Sequence, residues 1–132
     1  MGDYFNHWLK IGHRLEHTPR IFTVNWFRQD AGGKFLWPGF GENSRVLKWI
    51  FERLDGNAQA KATPIGHVPT PESLDLSGLS LSSAQLDVLL SVDPVVWREE
   101  AGLIPDAYER FATRLPDALW QELDALNQRL TA

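Results

Sequence analysis

Cysteine is absent from this sequence of 132 residues, and no segment approaches the ~20 apolar residues that a membrane-spanning helix needs. Without cysteine there are no disulfides, thiolate nucleophiles or cysteine-ligated metals. The first residues also lack a basic segment followed by an apolar run. We therefore expect a protein that is neither secreted nor membrane-spanning, with the cytoplasm as the default location.

An excess of basic residues is also missing. The formal net charge is −4, with 13 Lys and Arg against 17 Asp and Glu interspersed along the chain. Such a surface does not neutralise a long phosphate backbone, so a nucleic-acid partner is disfavoured. The hydrophobic fraction of 43% in a chain of this length predicts one globular domain with a real core.

Aromatic residues, by contrast, are crowded into one part of the chain. Of the 15 Phe, Trp and Tyr residues, eight fall between positions 22 and 51. The crowded segment includes the glycine-rich run Pro38-Gly39-Phe40-Gly41-Glu42-Asn43. Rings beside flexible backbone and polar side chains are what a nucleobase site requires.

Two helices are predicted in the first half. Apolar residues at three- and four-residue intervals indicate an amphipathic helix over 3–16, which Pro19 ends. It begins with little lead-in, so we expect Met1 to be an internal point of a longer protein. A second apolar stripe predicts a helix from Ser44 that ends at Asp55-Gly56.

A hairpin is predicted between these helices. The run 21–27 is β-branched and aromatic, as is typical of a strand. Ala31-Gly32-Gly33 indicates the turn and 34–37 the return strand. We expect both strands to complete a larger sheet in the parent protein.

The second half of the sequence predicts a loop and then helices. Residues 57–80 are rich in Pro, Gly, Ser and Thr without periodicity, which indicates an ordered loop. Gly102 and Pro105 are expected to kink or divide one of the helices that follow. Helix starts are marked by Ser82 with Gln85 as a capping box, by Asp93-Pro94, and by Pro116.

The aromatic segment offers what guanine would need. A base gains ~1–3 kcal/mol from stacking on an aromatic ring, but stacking alone does not select a base. Guanine presents O6 as an acceptor and N1 and N2 as donors, so selection needs a donor and an acceptor at its edge. Asn43 can supply both, and Glu42 can supply acceptors. Gly39 and Gly41 would admit positive φ and a close approach of the backbone.

Other interpretations compete with a base site. An aromatic hairpin packed on a helix is more often simply core. Gly39-x-Gly41 is a weak phosphate-loop signal, because the neighbouring carboxylate of Glu42 would repel a phosphate. His13-Arg14-Leu15-Glu16-His17 matches the H-x-x-E-H pattern of some zinc peptidases, but no third ligand is evident, so chance is the simpler explanation.

The sequence resembles one known family. Phe22-Thr23-Val24-Asn25-Trp26-Phe27-Arg28, the run from Gly33 to Val46, and Thr63-Pro64-Ile65-Gly66 are similar to the C-terminal part of GTP-dependent phosphoenolpyruvate carboxykinases. These family enzymes are several times longer. The resemblance implies an enzyme that converts oxaloacetate and GTP to phosphoenolpyruvate, GDP and CO2, with Mn²⁺ and Mg²⁺.

The resemblance also implies a division of labour along the chain. Residues 1–132 would be the C-terminal guanine-binding portion, with a base-pocket unit at 21–56, an ordered loop at 57–80 and a helical tail at 81–132. No catalytic residue and no metal ligand matches in this chain, and the ligands of oxaloacetate and phosphoenolpyruvate would lie upstream. The implied GTP-binding residues are Trp26, Phe27, Phe35, Phe40, Gly41, Glu42 and Asn43.

We predict an α+β fold, with a short antiparallel or mixed sheet element and an aromatic base pocket packed on helices, followed by a mostly helical tail. The fragment alone should be inactive. One alternative is a noncatalytic module that binds nucleotides or single-stranded RNA with the same rings. A second alternative is a helical interaction domain in which the aromatic cluster is only core.

Overall fold

The computed structural model describes residues 1–132 and contains five α-helices and two β-strands. The predicted α+β class and helical C-terminal part are confirmed. None of the helices has the length and apolar character needed to cross a membrane. The helices are α1 (Gly2–Arg14), α2 (Asn43–Leu54), α3 (Ser83–Leu90), α4 (Pro94–Glu109) and α5 (Asp117–Thr131), and the strands are β1 (Ala60–Thr63) and β2 (Gly66–Pro69).

The chain forms two compact units. One is continuous, Arg20–Ser91, and is called the inserted unit below. The other combines Met1–Pro19 with Val92–Ala132 and is called the helical unit. The inserted unit contains α2, α3 and both strands, and the helical unit contains α1, α4 and α5.

The core of the inserted unit lies under α2. Trp49 packs with the buried residues Ala58 and Leu74. Its ring meets Phe22 edge to face at a centroid distance of 6.2 Å. Its indole N–H donates to the carbonyl of Gln59 at 3.2 Å and to the hydroxyl of Ser73 at 3.0 Å. Helix α2 is thereby fixed against the chain that follows it.

The sheet of this unit is an antiparallel hairpin within 57–80, where the sequence indicates only an ordered loop. β1 pairs with β2 in a register from Ala60 opposite Pro69 to Thr63 opposite Gly66. The two residues between the strands form the turn, and the Thr63 hydroxyl donates to the Gly66 carbonyl at 2.6 Å. Gly66 has φ of +128°, a conformation that glycine adopts without strain.

The strands predicted at 21–27 and 34–37 do not form, and this prediction was wrong. Only an isolated bridge, Gln29 to Phe35, marks the reversal of the chain. Side chains take the backbone N–H groups instead: Asn25 accepts from Phe27 at 2.9 Å, and Asp30 accepts from Gly32 and Lys34. Such local bonds compete with strand pairing. The predicted turn is present, with Gly33 at φ +79°.

The helical unit is built on the contact of α4 with α5. Ala101 of α4 is buried with Leu123 and Leu130 of α5. Tyr108 and Trp120 meet edge to face at 5.1 Å. Helix α4 continues without a break past Gly102 and Pro105, contrary to the predicted division, because this packing outweighs the local helix-breaking tendency. Pro105 lies within the helix.

Candidate nucleotide-base site

The aromatic residues of the crowded segment divide into buried and exposed rings. Trp37 and Trp49 are 5% and 4% exposed, whereas Phe27, Phe35 and Phe40 are 71%, 52% and 96% exposed. Core packing explains the positions of the two buried tryptophans. It does not explain those of the three exposed phenylalanines. Each exposed phenylalanine forgoes ~1.5–3 kcal/mol of burial. Exposed apolar residues that lie together mark interaction sites, and Phe27 and Phe35 lie together here.

Phe27 and Phe35 lie side by side across the turn. Their rings meet at a centroid distance of 5.9 Å and an interplanar angle of 64°. The Leu36 N–H donates to the Arg28 carbonyl at 2.9 Å and holds the two arms of the turn together. A base sandwiched between two rings needs about 7 Å, so a base would stack on an outer face of this pair. Trp26 is half-buried and forms no ring pair.

The loop that follows holds Phe40 outward on a strained backbone. Gly39 has φ +79° and ψ −167°, a region occupied almost only by glycine, and Phe40 has φ +45°. From the sequence, positive φ is expected at Gly39 and Gly41. In the structure it occurs at Gly39 and Phe40. Gly41 lies within the 3-10 turn Phe40–Glu42, its carbonyl accepting from the Ser44 hydroxyl at 2.6 Å. A left-handed conformation costs a non-glycine residue ~1–2 kcal/mol.

Asn43 is the first residue of α2 and is tied to a buried tryptophan. The Trp37 indole N–H donates to Asn43 Oδ1 at 2.9 Å. An indole N–H can only donate, so turning the amide over would leave this buried donor facing an NH2 group. An unpaired buried donor costs ~1–3 kcal/mol. Asn43 Oδ1 therefore faces Trp37, and its NH2 group has no acceptor within the chain.

Glu42 belongs to a group of ion pairs beside the loop. Its carboxylate pairs with the Arg45 guanidinium, which also donates to the main-chain carbonyl of Asp75 at 2.8 Å. Lys48 Nζ lies 3.2 Å from Asp75 Oδ2. The Ser77 hydroxyl and then Lys48 hold the pKa of Asp75 at about 2, below its ordinary 3.8. These contacts fix the start of α2. The predicted contact of Glu42 with a base stays a prediction.

Arg28 stabilises the turn from the other side. Its guanidinium donates to the carbonyl of Ser91 at 2.7 Å, to the Ser91 hydroxyl at 2.7 Å and to the carbonyl of Leu89 at 3.3 Å. The turn that carries Phe27 is thus bound to the C-terminal end of α3. Sequence reasoning misses Arg28 because its partners lie more than 60 residues away. It also misses the tie from Trp37 to Asn43, which no spacing rule reveals.

No metal site accompanies these residues. His13 is in the last turn of α1, but α1 ends at Arg14, so His17 lies beyond the helix and the one-turn spacing of a zinc pair is not formed. No group of three or more His, Cys, Asp or Glu side chains could hold an ion. The residues of this chain therefore do not fit the Mn²⁺ and Mg²⁺ that the resemblance implies.

The chain is similar to known proteins along nearly its whole length. The profile of the family described as phosphoenolpyruvate carboxykinase C-terminal P-loop domain matches residues 1–129. A Renibacterium salmoninarum protein named phosphoenolpyruvate carboxykinase [GTP] is 51% identical over 131 residues, which cover 98% of the chain and 22% of that protein. A protein of the same name from Neocallimastix frontalis is 50% identical over 135 residues, covering 100% and 22%. The chain thus spans about a fifth of the length of these relatives.

Proposed function

The chain belongs to the family of the phosphoenolpyruvate carboxykinase C-terminal P-loop domain, and from this we propose that it is the guanine-binding part of a GTP-dependent phosphoenolpyruvate carboxykinase. The complete enzyme is a lyase that converts oxaloacetate and GTP into phosphoenolpyruvate, GDP and CO2. We place it in the cytoplasm, in gluconeogenesis.

The exposed phenylalanines support a stacking role. The observation that carries the proposal is Phe40, which is 96% exposed and held on a strained backbone with φ +45°. Within this chain the ring gains no burial in return for the strain, and such strain is typical of ligand sites. Phe27 and Phe35 add two further exposed rings. Stacking on such rings contributes ~1–3 kcal/mol per base.

Asn43 supplies the base selection in this proposal. Because its Oδ1 faces Trp37, its NH2 group is the end available to a ligand. Guanine presents the acceptor O6 at its edge, and adenine presents the N6 amino group, which is a donor. An NH2 group therefore bonds with guanine and opposes adenine. Glu42, which can supply acceptors, would face the donors at N1 and N2 of guanine in this proposal, and Gly41 and Trp26 would line the site.

The reacting groups lie outside this chain in the proposal. The sequence contains no G-x-x-x-x-G-K-[ST] phosphate loop. The described residues also hold no metal cluster. We assign oxaloacetate, phosphoenolpyruvate and the Mn²⁺ and Mg²⁺ ions to the part of the enzyme that the relatives have in addition, so no chemical step runs through the residues described here. Their task is to bind and orient GTP.

Replacing Phe40 by alanine in the full-length enzyme tests the proposal. We expect the KM for GTP to rise about 5- to 100-fold through lost stacking, while the KM for oxaloacetate stays within twofold. Phe51→Ala is the matched control, because Phe51 is also an exposed phenylalanine, 65% exposed, but lies on α2 outside the site. An unchanged KM for GTP in the Phe40 variant would contradict the stacking role.

A further inference from the structure

We propose that Trp37 is a positioning residue that determines base specificity by holding the Asn43 carboxamide with its NH2 group toward the base. This inference rests on the proposed function and adds a residue that does not touch the nucleotide. Trp37 is 5% exposed, so its ring belongs to the interior. Its indole N–H reaches Asn43 Oδ1 at 2.9 Å.

A carboxamide needs such a restraint in order to discriminate. Its oxygen end and its NH2 end have nearly the same size, so an asparagine that rotates freely offers whichever end suits the ligand. Its oxygen would accept from the N6 amino group of adenine, and its NH2 group would donate to O6 of guanine. Only an amide that is held in one orientation accepts a 6-oxopurine and rejects a 6-aminopurine.

Both ends of the restraint are fixed in the structure. Trp37 is packed in the interior next to Leu36, which is also 5% exposed. The Asn43 backbone is set by α2, and its N–H bonds to the carbonyls of Phe40 and Gly41. The two side-chain torsions of Asn43 are the remaining freedom, and the hydrogen bond from the indole N–H restricts both. A buried group that can only donate therefore sets which end of Asn43 meets the base.

The test measures kcat/KM for GTP, ITP and ATP in the full-length enzyme and its Trp37→Phe variant. Phenylalanine keeps an apolar ring but has no N–H. We expect the preference for GTP over ATP to fall by roughly 3- to 10-fold, as for the loss of one oriented hydrogen bond. The change should lie in KM, with kcat within twofold. ITP also carries O6, so it should follow GTP in every variant.

Trp49→Phe is the matched control. Trp49 is 4% exposed and its indole N–H also donates, to Gln59 and Ser73. This variant also loses a buried indole N–H donor, but its preference for GTP over ATP should equal that of the parent enzyme. If Trp37→Phe does not fold, the tryptophan analogue with sulfur in place of the ring N–H, inserted at position 37, keeps the bicyclic shape and removes only the donor.

A double variant separates the restraint from other effects. If Trp37 acts through Asn43, adding Trp37→Phe to Asn43→Ala should leave the GTP-to-ATP ratio of Asn43→Ala unchanged. A further fall in the double variant, or a Trp37→Phe ratio equal to that of the parent enzyme, would overturn the inference. A parent enzyme that shows no preference for GTP over ATP would instead overturn the proposed function itself.

Discussion

Asp75 is the carboxylate on which the ion pairs of the inserted unit converge. It accepts from the Ser77 hydroxyl at 2.7 Å and from Lys48 Nζ at 3.2 Å. Its pKa is lowered from 3.8 to about 2, first by the Ser77 hydroxyl and then by Lys48. Charged Asp75 therefore favours the folded state fully above pH 3.8, and this contribution is lost as the pH falls from 3.8 towards 2.

Changing Ser77 to alanine should move the Asp75 titration. The variant removes the first cause of the shift, so we expect the pKa of Asp75 to rise from about 2 towards 3.8. Carboxyl-carbon NMR of the 132-residue chain between pH 1.5 and 6 measures it. Ser80→Ala is the control, because Ser80 is exposed and is not among the hydrogen-bond donors to Asp75. An Asp75 midpoint that is the same in both variants would argue against the hydroxyl as the main cause.

Some features of the candidate site could be predicted from the sequence and others could not. The choice of the rings and Asn43 as candidates follows from residue type and crowding, because aromatic rings and an amide are what a base requires; their contact with a base stays a prediction. The orientation of the Asn43 amide does not follow, since it depends on a side chain six residues earlier being buried with its N–H toward α2. Positive φ at Phe40 could not be predicted either, because the conformational preference of glycine favours positive φ at Gly39 and Gly41 instead.

Helix α3 depends on a side chain from the turn. The guanidinium of Arg28 accepts no bond and donates to the carbonyls and hydroxyl at the end of α3, where backbone acceptors lack helical partners. We expect Arg28→Ala to lower the free energy of unfolding of the 132-residue chain by about 1–2 kcal/mol. Urea denaturation measures this change. Amide hydrogen exchange should also become faster in the last turn of α3.

Two further variants define the effect of Arg28. Arg28→Lys keeps the charge but cannot donate in a fork, so its stability should lie between those of the parent chain and Arg28→Ala. Arg20→Ala removes an exposed arginine that forms no ion pair or hydrogen bond, and it should unfold like the parent chain. If Arg20→Ala and Arg28→Ala lowered the free energy of unfolding equally, the change in net charge would explain the result, and the hydrogen bonds of Arg28 would not.

Helices were predicted well from the sequence, and strands were not. The capping box of Ser82 with Gln85 and the start at Asp93-Pro94 are local signals, and both are confirmed. Strand pairing depends on partners elsewhere, so the β-branched run 21–27 had the composition of a strand without a neighbour to pair with. The hairpin at 60–69 was missed because β1 carries alanine and lysine and β2 carries glycine and proline, residues that are depleted in strands. Its only local signal was the turn Thr63-Pro64-Ile65-Gly66.

The isolated chain should bind GTP very weakly. Stacking and one edge contact offer at most several kcal/mol. Association costs at least ~4 kcal/mol of translational and rotational freedom. We expect a dissociation constant of about 1 mM or weaker and no carboxykinase activity, even with Mn²⁺. NMR titration of the 132-residue chain with GTP, guanosine and ATP measures the affinity, with the Phe40→Ala chain as the control.

The affinity for GTP, and whether it requires the phosphates, distinguishes a base-binding fragment from a self-sufficient GTP-binding domain. GTP and guanosine should bind alike, because the chain has no phosphate loop, and both should shift the amide signals around Asn43 more than ATP does. Micromolar affinity that requires the phosphates would show a self-sufficient GTP-binding domain and contradict the proposed division of labour. Loss of the shifts in the Phe40→Ala chain would place the weak binding at the exposed rings.

The helical unit is interrupted by the inserted unit, and this has a consequence for biosynthesis. Phe5 of α1 meets Phe111 edge to face at 5.7 Å, and α1 belongs to the same compact unit as Val92–Ala132. At a synthesis rate of ~5–20 residues per second, α1 emerges several seconds before Phe111 exists. The inserted unit can fold in that interval, whereas the ring of Phe5 is still without its partner Phe111. We therefore expect the helical unit to form after the inserted unit during translation, once Val92–Ala132 has been synthesised.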